Sequence, residues 1–170
     1  PTAMQAVSTI IIDDESLARD IVKRYAADHQ ALNIIAECSD GFEALRQIQL
    51  HKPQLLFLDI QMPKLDGFEL LEVLDYNPAI IFTTAFDQFA IKAFEMNAVD
   101  YLLKPFSKER FDNAVKKAIE RIGVEKLKVD TSVETLKENV QESRGTLDRV
   151  VTRLGSKVTV IPVDRIWYIE

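Results

Sequence analysis

Short apolar runs alternate with amphipathic stretches between residues 9 and 121 of this 170-residue chain. The apolar runs are rich in β-branched residues and bounded by polar or turn-forming residues, which is typical of strands. We predict five strands, with the sequences STIII, LNIIAEC, QLLFLD, AIIFTTA and DYLL. We predict a helix after each strand, over residues 17–29, 40–50, 67–76, 87–96 and 107–121.

Several positions in these helices carry more detailed predictions. Ser16 is the expected N-cap of the first helix, because its hydroxyl can accept a hydrogen bond from a free backbone N–H. Gly123 is the expected C′ residue of the last helix. Apolar residues that share one helical face are expected to point into the core. They are Leu17, Ile21, Val22 and Tyr25 in the first helix, Phe42, Leu45 and Ile48 in the second, and Phe111, Val115, Ala118 and Ile122 in the last.

Five consecutive strand–helix units predict an α/β fold with a parallel sheet covered by helices on both faces. Right-handed crossovers leave few topologies for such a sheet, and a doubly wound, flavodoxin-like order is the natural one. In this order, ligands bind beyond the carboxyl ends of the strands. Candidate functional residues are therefore sought at those ends.

The chain after residue 123 differs in its sequence pattern from the alternating strands and helices before it. Residues 124–145 are charged and contain no aromatic residue, and we leave open whether this linker is a marginal helix or disordered. Residues 146–170 contain β-branched runs separated by GS and VD, which indicates strands joined by hairpin turns. So few strand residues cannot build a core of their own, so we predict the beginning of an incomplete second domain.

Composition narrows the function classes. A net charge of −6 and a pI of about 5.1 give no electrostatic basis for binding DNA or an anionic membrane. The single cysteine, Cys38, suits a reducing compartment, and His29 and His51 lack neighbours at zinc-ligand spacing. No apolar stretch approaches the roughly 20 residues that span a bilayer. We expect a cytoplasmic protein without a membrane partner.

Polar residues with related chemistry stand at the carboxyl ends of four of the predicted strands: Asp13, Asp14, Glu15, Asp59, Thr83, Thr84 and Lys104. Converging carboxylates repel each other unless a cation lies among them, and oxygen-only ligands favour Mg²⁺. A lysine and a threonine hydroxyl can hold phosphoryl oxygens, which makes Asp59 a candidate nucleophile in phosphoryl transfer. Taken singly, each residue also has an ordinary explanation, such as helix capping for the acids and Asp66, or a surface position for Lys104.

Four segments, IIDDE, FLDIQMPKLDGFEL, FTTAFD and YLLKPF, occur in that order and resemble the receiver domain of two-component response regulators. The resemblance covers residues 7–123 and implies that a sensor histidine kinase phosphorylates Asp59. It also implies roles for further residues and a cis bond before Pro105. Asp14, Asp59 and the carbonyl of Gln61 would ligate Mg²⁺, with Asp13 acting mainly through water, and Thr84, Lys104 and the N–H groups of Gln61 and Ala85 would contact the phosphoryl oxygens.

The same resemblance implies a switch and an output. Thr84 would move towards the phosphoryl group, and Tyr101 would change rotamer in response. A homodimer would form through the fourth helix, fifth strand and fifth helix. The sequences of residues 86–106 and 146–170 resemble those of response regulators with LytTR DNA-binding domains. DNA would then be a partner of the full-length protein but not of this fragment.

Two other functions stay open from the sequence. A haloacid-dehalogenase-like phosphatase also combines an aspartate nucleophile with Mg²⁺, but it needs a second aspartate two residues later, where Gln61 stands here. A protein-interaction module with an inactive pocket is the other alternative. It is disfavoured because none of the strand-end residues has been replaced by an inert one.

Overall fold

The computed structural model describes the backbone of residues 5–142 and the side chains of residues 5–129. The strands predicted within residues 146–170 lie outside this part. The chain divides into two units, and the first, which ends at Val124, contains the entire sheet. Its strands are β1 (Val7–Ile12), β2 (Leu32–Cys38), β3 (Leu55–Leu58), β4 (Ala79–Thr84) and β5 (Asp100–Leu103).

The five strands form one parallel sheet in the order β2-β1-β3-β4-β5. The predicted doubly wound, flavodoxin-like fold is therefore confirmed. The register pairs Ile12 with Leu58, and Thr84 with Leu103. Because all strands run in the same direction, their carboxyl ends meet at one edge of the sheet.

Helices connect and follow the strands: α1 (Ser16–Ala26), α2 (Gly41–His51), α3 (Gly67–Glu72), α4 (Ala90–Glu95) and α5 (Lys108–Glu142). Two predictions about their ends were wrong. The N-cap of α1 is Glu15, whose side chain makes no cap hydrogen bond, and Ser16 is the first helical residue. Gly123 does not end α5. A glycine inside a helix costs only about 1 kcal/mol relative to alanine, which good helix formers on both sides can offset.

The core consists of two layers, one on each face of the sheet. Ile11 and Phe57 point towards α1 and α5, whereas Ile10 and Leu56 point towards α2, α3 and α4. Strand side chains alternate between faces, so both layers draw on the same strands. The α5 residues Phe111, Val115 and Ala118 are buried as predicted.

Three residues predicted to point inward are exposed instead. Leu17 and Ile21 on α1 are 75% and 40% exposed, and Phe42 on α2 is 56% exposed. In α2 the buried face is formed by Gly41, Ala44 and Ile48, which follow helical spacing. This spacing turns Phe42 outward, because residues one apart on a helix lie about 100° apart.

Candidate functional site

Backbone hydrogen bonds extend the sheet by one residue beyond the ends of β1 and β3. The N–H of Asp13 donates to the carbonyl of Cys38 at 3.0 Å, and the N–H of Asp59 donates to the carbonyl of Ile12 at 2.9 Å. Asp13 and Asp59 therefore leave the sheet side by side. Cys38 itself is buried, and burial raises the pKa of its thiol to about 12.

Three carboxylates converge at this edge. Asp13, Asp14 and Asp59 each have a ligand oxygen within 4.8 Å of the other two. Asp13 and Asp59 are only 2% and 5% exposed, whereas Asp14 is exposed to solvent. Two buried carboxylates and a third open to water form an oxygen-only donor set, which fits a hard divalent cation such as Mg²⁺.

Lys104 supplies the positive charge at the site. Its ammonium lies 2.7 Å from Oδ2 of Asp13 and 3.8 Å from Oδ2 of Asp59. Its backbone N–H donates to the carbonyl of Thr84 at 2.7 Å, which fixes the start of the loop after β5. Burial lowers the pKa of Lys104. The hydrogen bond to Asp13 and the charges of the nearby carboxylates raise the pKa by more than burial lowers it, so the net pKa lies above its ordinary value.

The electrostatics of Asp59 differ from those of an ordinary surface aspartate. Burial first, and then the negative charge of Asp13, raise its pKa to about 7. Lys104 and the N–H of Ile60, which donates to Oδ1 of Asp59 at 2.8 Å, act in the opposite direction. With a pKa of about 7, the Asp59 carboxyl is only partly ionised at neutral pH, and a cation bound beside it would favour the ionised form.

On the β4 side, Thr84 is fully buried and its hydroxyl accepts a hydrogen bond from the N–H of Phe86 at 3.2 Å. Tyr101 is partly buried, and its hydroxyl donates to the carbonyl of Phe86. Ala85 lies between these contacts and is exposed. The loop after β4 is therefore held by hydrogen bonds of Phe86 with both of the predicted switch residues, accepted by Thr84 and donated by Tyr101.

The loop after β3 carries Gln61, which is exposed. This loop is constrained by close backbone approaches at two glycines. A Cβ atom on Gly67 would lie 2.6 Å from the carbonyl oxygen of Asp59, and one on Gly41 would lie 2.4 Å from the carbonyl oxygen of Leu65. Asp66 caps α3 with a capping box, so the sequence's alternative reading of this aspartate as a cap is confirmed.

The structure brings together Asp13, Asp14, Asp59 and Lys104, and it has the cis Lys104–Pro105 bond that the resemblance implies. One residue at the site was missed by the sequence analysis. Arg19 on α1 donates from Nη1 to the main-chain carbonyl of Asp13 at 2.7 Å. A contact between a helix side chain and a main-chain carbonyl at a strand end leaves no pattern of residue spacing in the sequence from which it could be predicted.

A groove of about 460 Å³ adjoins the site between α1 and the loop after β5. Its lining is mainly apolar but includes Lys104 and Glu15 from the site itself. The apolar lining residues include Leu17, Ile21, Pro105 and Phe106. Leu17 and Ile21, the exposed α1 residues that did not enter the core, therefore line the same groove as Lys104.

Within residues 5–142, no helix combines the length and the apolar character that crossing a bilayer requires.

Comparison with known proteins gives the family. The model of the response regulator receiver domain matches residues 9–116, which is more than half of the chain. An uncharacterized response regulatory protein of Shewanella oneidensis is 38% identical over 165 residues, covering 96% of this chain and 65% of that protein. The transcriptional regulatory protein BtsR of Escherichia coli K12 is 41% identical over 137 residues, covering 79% of this chain and 55% of that protein. The chain thus spans less than two thirds of the length of these two relatives.

Comparison with solved structures supports the same family. The response regulatory domain of mrkE from Klebsiella pneumoniae is 34% identical with a TM-score of 0.64, covering 68% of this chain and 98% of that one. The REC domain of AraT from Geobacillus stearothermophilus is 30% identical with a TM-score of 0.66, covering 72% of this chain and 99% of that one. Each match extends over nearly the whole of the solved domain. This chain therefore belongs to the response regulator receiver domain family, the receivers of two-component signalling systems.

Proposed function

We propose that Asp59 accepts a phosphoryl group and that this modification controls the activity of the intact protein. One observation carries the proposal: the buried Asp59 carboxylate lies within 4.8 Å of two other carboxylates and 3.8 Å from the ammonium of Lys104. Three acids and a lysine in one cleft are arranged to hold a cation and a phosphoryl group together.

Asp13, Asp14 and Asp59 would hold Mg²⁺ together with the carbonyl of Gln61, with Asp13 acting mainly through water. The cation would neutralise charge that otherwise repels a phosphoryl donor. Because burial and Asp13 raise the pKa of Asp59, a nearby cation also favours its ionised, nucleophilic form.

Lys104 and Thr84 would bind the phosphoryl oxygens, together with the backbone N–H groups of Gln61 and Ala85. Lys104 lies within reach of Asp59, so it needs little rearrangement to follow a new negative charge. Thr84 is buried beside it in the sheet, with its hydroxyl bonded to the N–H of Phe86. Because the hydroxyl is the acceptor in this bond, its own hydrogen is left to donate to a phosphoryl oxygen.

The proposed donor is a sensor histidine kinase, since receiver domains interact with such kinases in general. A donor must approach Asp59 closely, and the groove between α1 and the loop after β5 is lined by Lys104, whose ammonium lies 3.8 Å from Asp59. Leu17, at 75% exposure, offers apolar surface there for a protein partner.

The proposed response is a switch that alters the surface formed by α4, β5 and α5. Tyr101 holds the carbonyl of Phe86, so a shift of Thr84 would act on the same loop from the other side. Phe94 and Ile91 on α4 are 81% and 76% exposed, which gives this surface the apolar area that a symmetric homodimer would bury.

The proposed output is transcription control through a LytTR-type DNA-binding domain in the full-length protein. Two facts support it: the sequence of residues 146–170 and the name of the BtsR relative, a transcriptional regulatory protein. DNA would be bound by the full-length protein and not by this fragment. The cytoplasm is the proposed site of action, where regulator and DNA meet.

A phosphatase acting on external substrates is the weaker candidate. Receiver domains are generally not classical enzymes, and the position two residues after Asp59 holds Gln61, which cannot act as a general acid. A phosphorylation-independent interaction module is the third candidate. It would leave the raised pKa of Asp59 and the converging acids without a role.

The test is intact mass spectrometry after incubation with acetyl phosphate and Mg²⁺. The parent chain is expected to gain one phosphoryl group, whereas Asp59→Asn is expected to gain none. Asp20→Asn is the matched control, because Asp20 is an exposed aspartate on α1 that pairs with Lys23 and not with the site.

The proposal predicts an adduct in the parent chain and in Asp20→Asn that does not form when EDTA is present during the incubation. A parent chain that stays unmodified, or an adduct that persists in Asp59→Asn, would contradict the proposal.

A further inference from the structure

We infer that Arg19 is a positioning residue for the cation site, acting through the peptide group that joins Asp13 to Asp14. The inference rests on the proposed function, since it takes these two aspartates and Asp59 to hold a divalent cation. It goes further by assigning a role at that site to a residue on a helix.

Arg19 lies in the second turn of α1 and reaches back to the end of β1. Its Nη1 donates to the main-chain carbonyl of Asp13 at 2.7 Å, and its Nε donates to Oε1 of Glu37 at 3.4 Å. The side chain is only 18% exposed. A planar guanidinium anchored at two points and largely shielded from water has little freedom, so it holds the carbonyl in one direction.

The other polar groups of Asp13 are also occupied. Its N–H donates to the carbonyl of Cys38 at 3.0 Å, its Oδ1 accepts from the N–H of Glu15 at 2.9 Å, and its Oδ2 accepts from Lys104 at 2.7 Å. Arg19 provides the contact on the carbonyl. Because the peptide group is planar, fixing that carbonyl also fixes the direction in which the chain enters Asp14.

Asp14 depends on this constraint more than its neighbours do. Asp13 and Asp59 are buried and held by the sheet, but Asp14 is exposed. Its carboxylate nevertheless has an oxygen within 4.8 Å of oxygens of both other aspartates. Groups that orient metal ligands from outside the ligand set typically change metal affinity by roughly 10–100-fold when removed.

Charge and positioning predict opposite outcomes for the loss of Arg19. Removing a positive charge from beside three carboxylates should, by Coulomb's law alone, tighten cation binding. Releasing the peptide group between two ligands should weaken it. The sign of the change in affinity therefore separates a positioning role from a general electrostatic one.

Lys23 provides a matched control on the same helix. It also pairs with Glu37, at 3.0 Å, and with Asp20, at 3.2 Å, but not with Asp13. Arg19→Met and Lys23→Met thus remove the same charge and each removes one contact with Glu37. Only Arg19→Met also releases the Asp13 carbonyl.

The experiment is isothermal titration of Mg²⁺ into the unphosphorylated full chain. Arg19→Met is expected to raise the Kd roughly tenfold. Lys23→Met is expected to leave it within about twofold of the parent, as suits a partly screened surface charge. An Arg19→Met chain that binds Mg²⁺ as tightly as the parent, or more tightly, would overturn the inference.

Failure of the inference and failure of the proposed function give different results. If the parent chain binds no Mg²⁺, the proposed function fails; if the parent binds and Arg19→Met binds equally well, only the inference fails. Should Arg19→Met not fold, Arg19→Lys keeps the charge and the stem but not the guanidinium fork. A rise in Kd of at least about twofold is then expected, and a Kd equal to that of the parent would overturn the inference.

Discussion

The guanidinium of Arg110 holds both carboxylate oxygens of Asp100, each at 2.6 Å. The same arginine also donates to the carbonyl of Tyr101 at 3.3 Å. The Asp100 side chain is only 9% exposed, whereas that of Arg110 is 42% exposed, so it is the carboxylate that is largely removed from water. The start of β5 is thereby tied to α5 within one chain, on the surface that we propose for dimerisation.

Arg110→Gln is expected to lower the free energy of unfolding at pH 7 by about 1–2 kcal/mol, because a mostly buried carboxylate loses its bidentate partner. Burial raises the pKa of Asp100, but the hydrogen bonds from Arg110 and from the N–H of Tyr101 hold the net pKa below its usual 3.8. A carboxyl with a lowered pKa stabilises the fold above its unfolded-state pKa and loses that contribution as pH falls through the folded-state pKa. Urea unfolding should therefore find that the difference between parent and variant shrinks below about pH 4.

The control for this prediction is Arg121→Gln. Arg121 donates to the carbonyl of Asn97, and that group does not titrate. Its effect on unfolding should not change with pH in the same way. A difference between Arg110→Gln and the parent that stays constant down to pH 3 would show that Asp100 is not the titrating partner.

Asp59→Asn is expected to stabilise the metal-free protein at pH 8. Burial and Asp13 raise the pKa of Asp59 from 3.8 to about 7, so ionising this group costs stability in the folded state. The folded state binds more protons than the unfolded state between these values, so the parent loses stability as pH rises through that window. In EDTA, urea unfolding should give a gain of at least about 1 kcal/mol at pH 8 that disappears below pH 4. An equal gain at both pH values would contradict the assignment.

Two glycine-to-alanine changes are expected to act in opposite directions. A Cβ at Gly41 would meet the backbone of Leu65 at 2.4 Å, so Gly41→Ala should destabilise the chain by about 1–3 kcal/mol. A Cβ at Gly123 would meet nothing within 4 Å, and this residue lies inside α5, so Gly123→Ala should stabilise the helix by up to about 1 kcal/mol. Thermal unfolding of both variants checks the pair. A Gly41→Ala variant that is as stable as the parent or more so would mean that the loop at Leu65 moves aside freely.

Phe94→Asp is expected to abolish the phosphorylation-dependent dimer, because it places a charge where α4 exposes a large apolar side chain, Phe94 being 81% exposed. Phe42→Asp is the control, since Phe42 is also exposed, at 56%, but lies on α2. Sedimentation velocity of the acetyl-phosphate-treated chains should find a dimer for the parent and Phe42→Asp and a monomer for Phe94→Asp. Loss of the dimer in Phe42→Asp alone would move the interface to another face.

The sheet could be predicted from the sequence because each strand combines a short β-branched run with a polar end. The predicted β5, DYLL, has the same bounds as Asp100–Leu103 in the structure. It was harder to predict from the sequence which face of each helix is buried. Small residues such as Ala44 form the buried face of α2, and hydrophobicity alone favours the larger Phe42.

The convergence of the acidic residues was predictable for the same reason, since strand ends in a parallel sheet meet at one edge. The particular contacts were not. The sequence places Lys104 at the edge but does not reveal that Asp13, rather than Asp59, is its closer partner. The contact of Arg19 with the Asp13 carbonyl depends on the packing of α1 against the sheet, which no local pattern encodes.

Because Cys38 is buried and is the only cysteine of the chain, its thiol can report how often the structure around it opens. The side chain is 1% exposed at the end of β2, and its carbonyl accepts the N–H of Asp13. A thiol reagent can reach the sulfur only when this strand end separates from its neighbours, so the labelling rate reports how often that happens. Anything that tightens the adjoining acidic edge should slow the reaction, and the measurement needs no introduced cysteine.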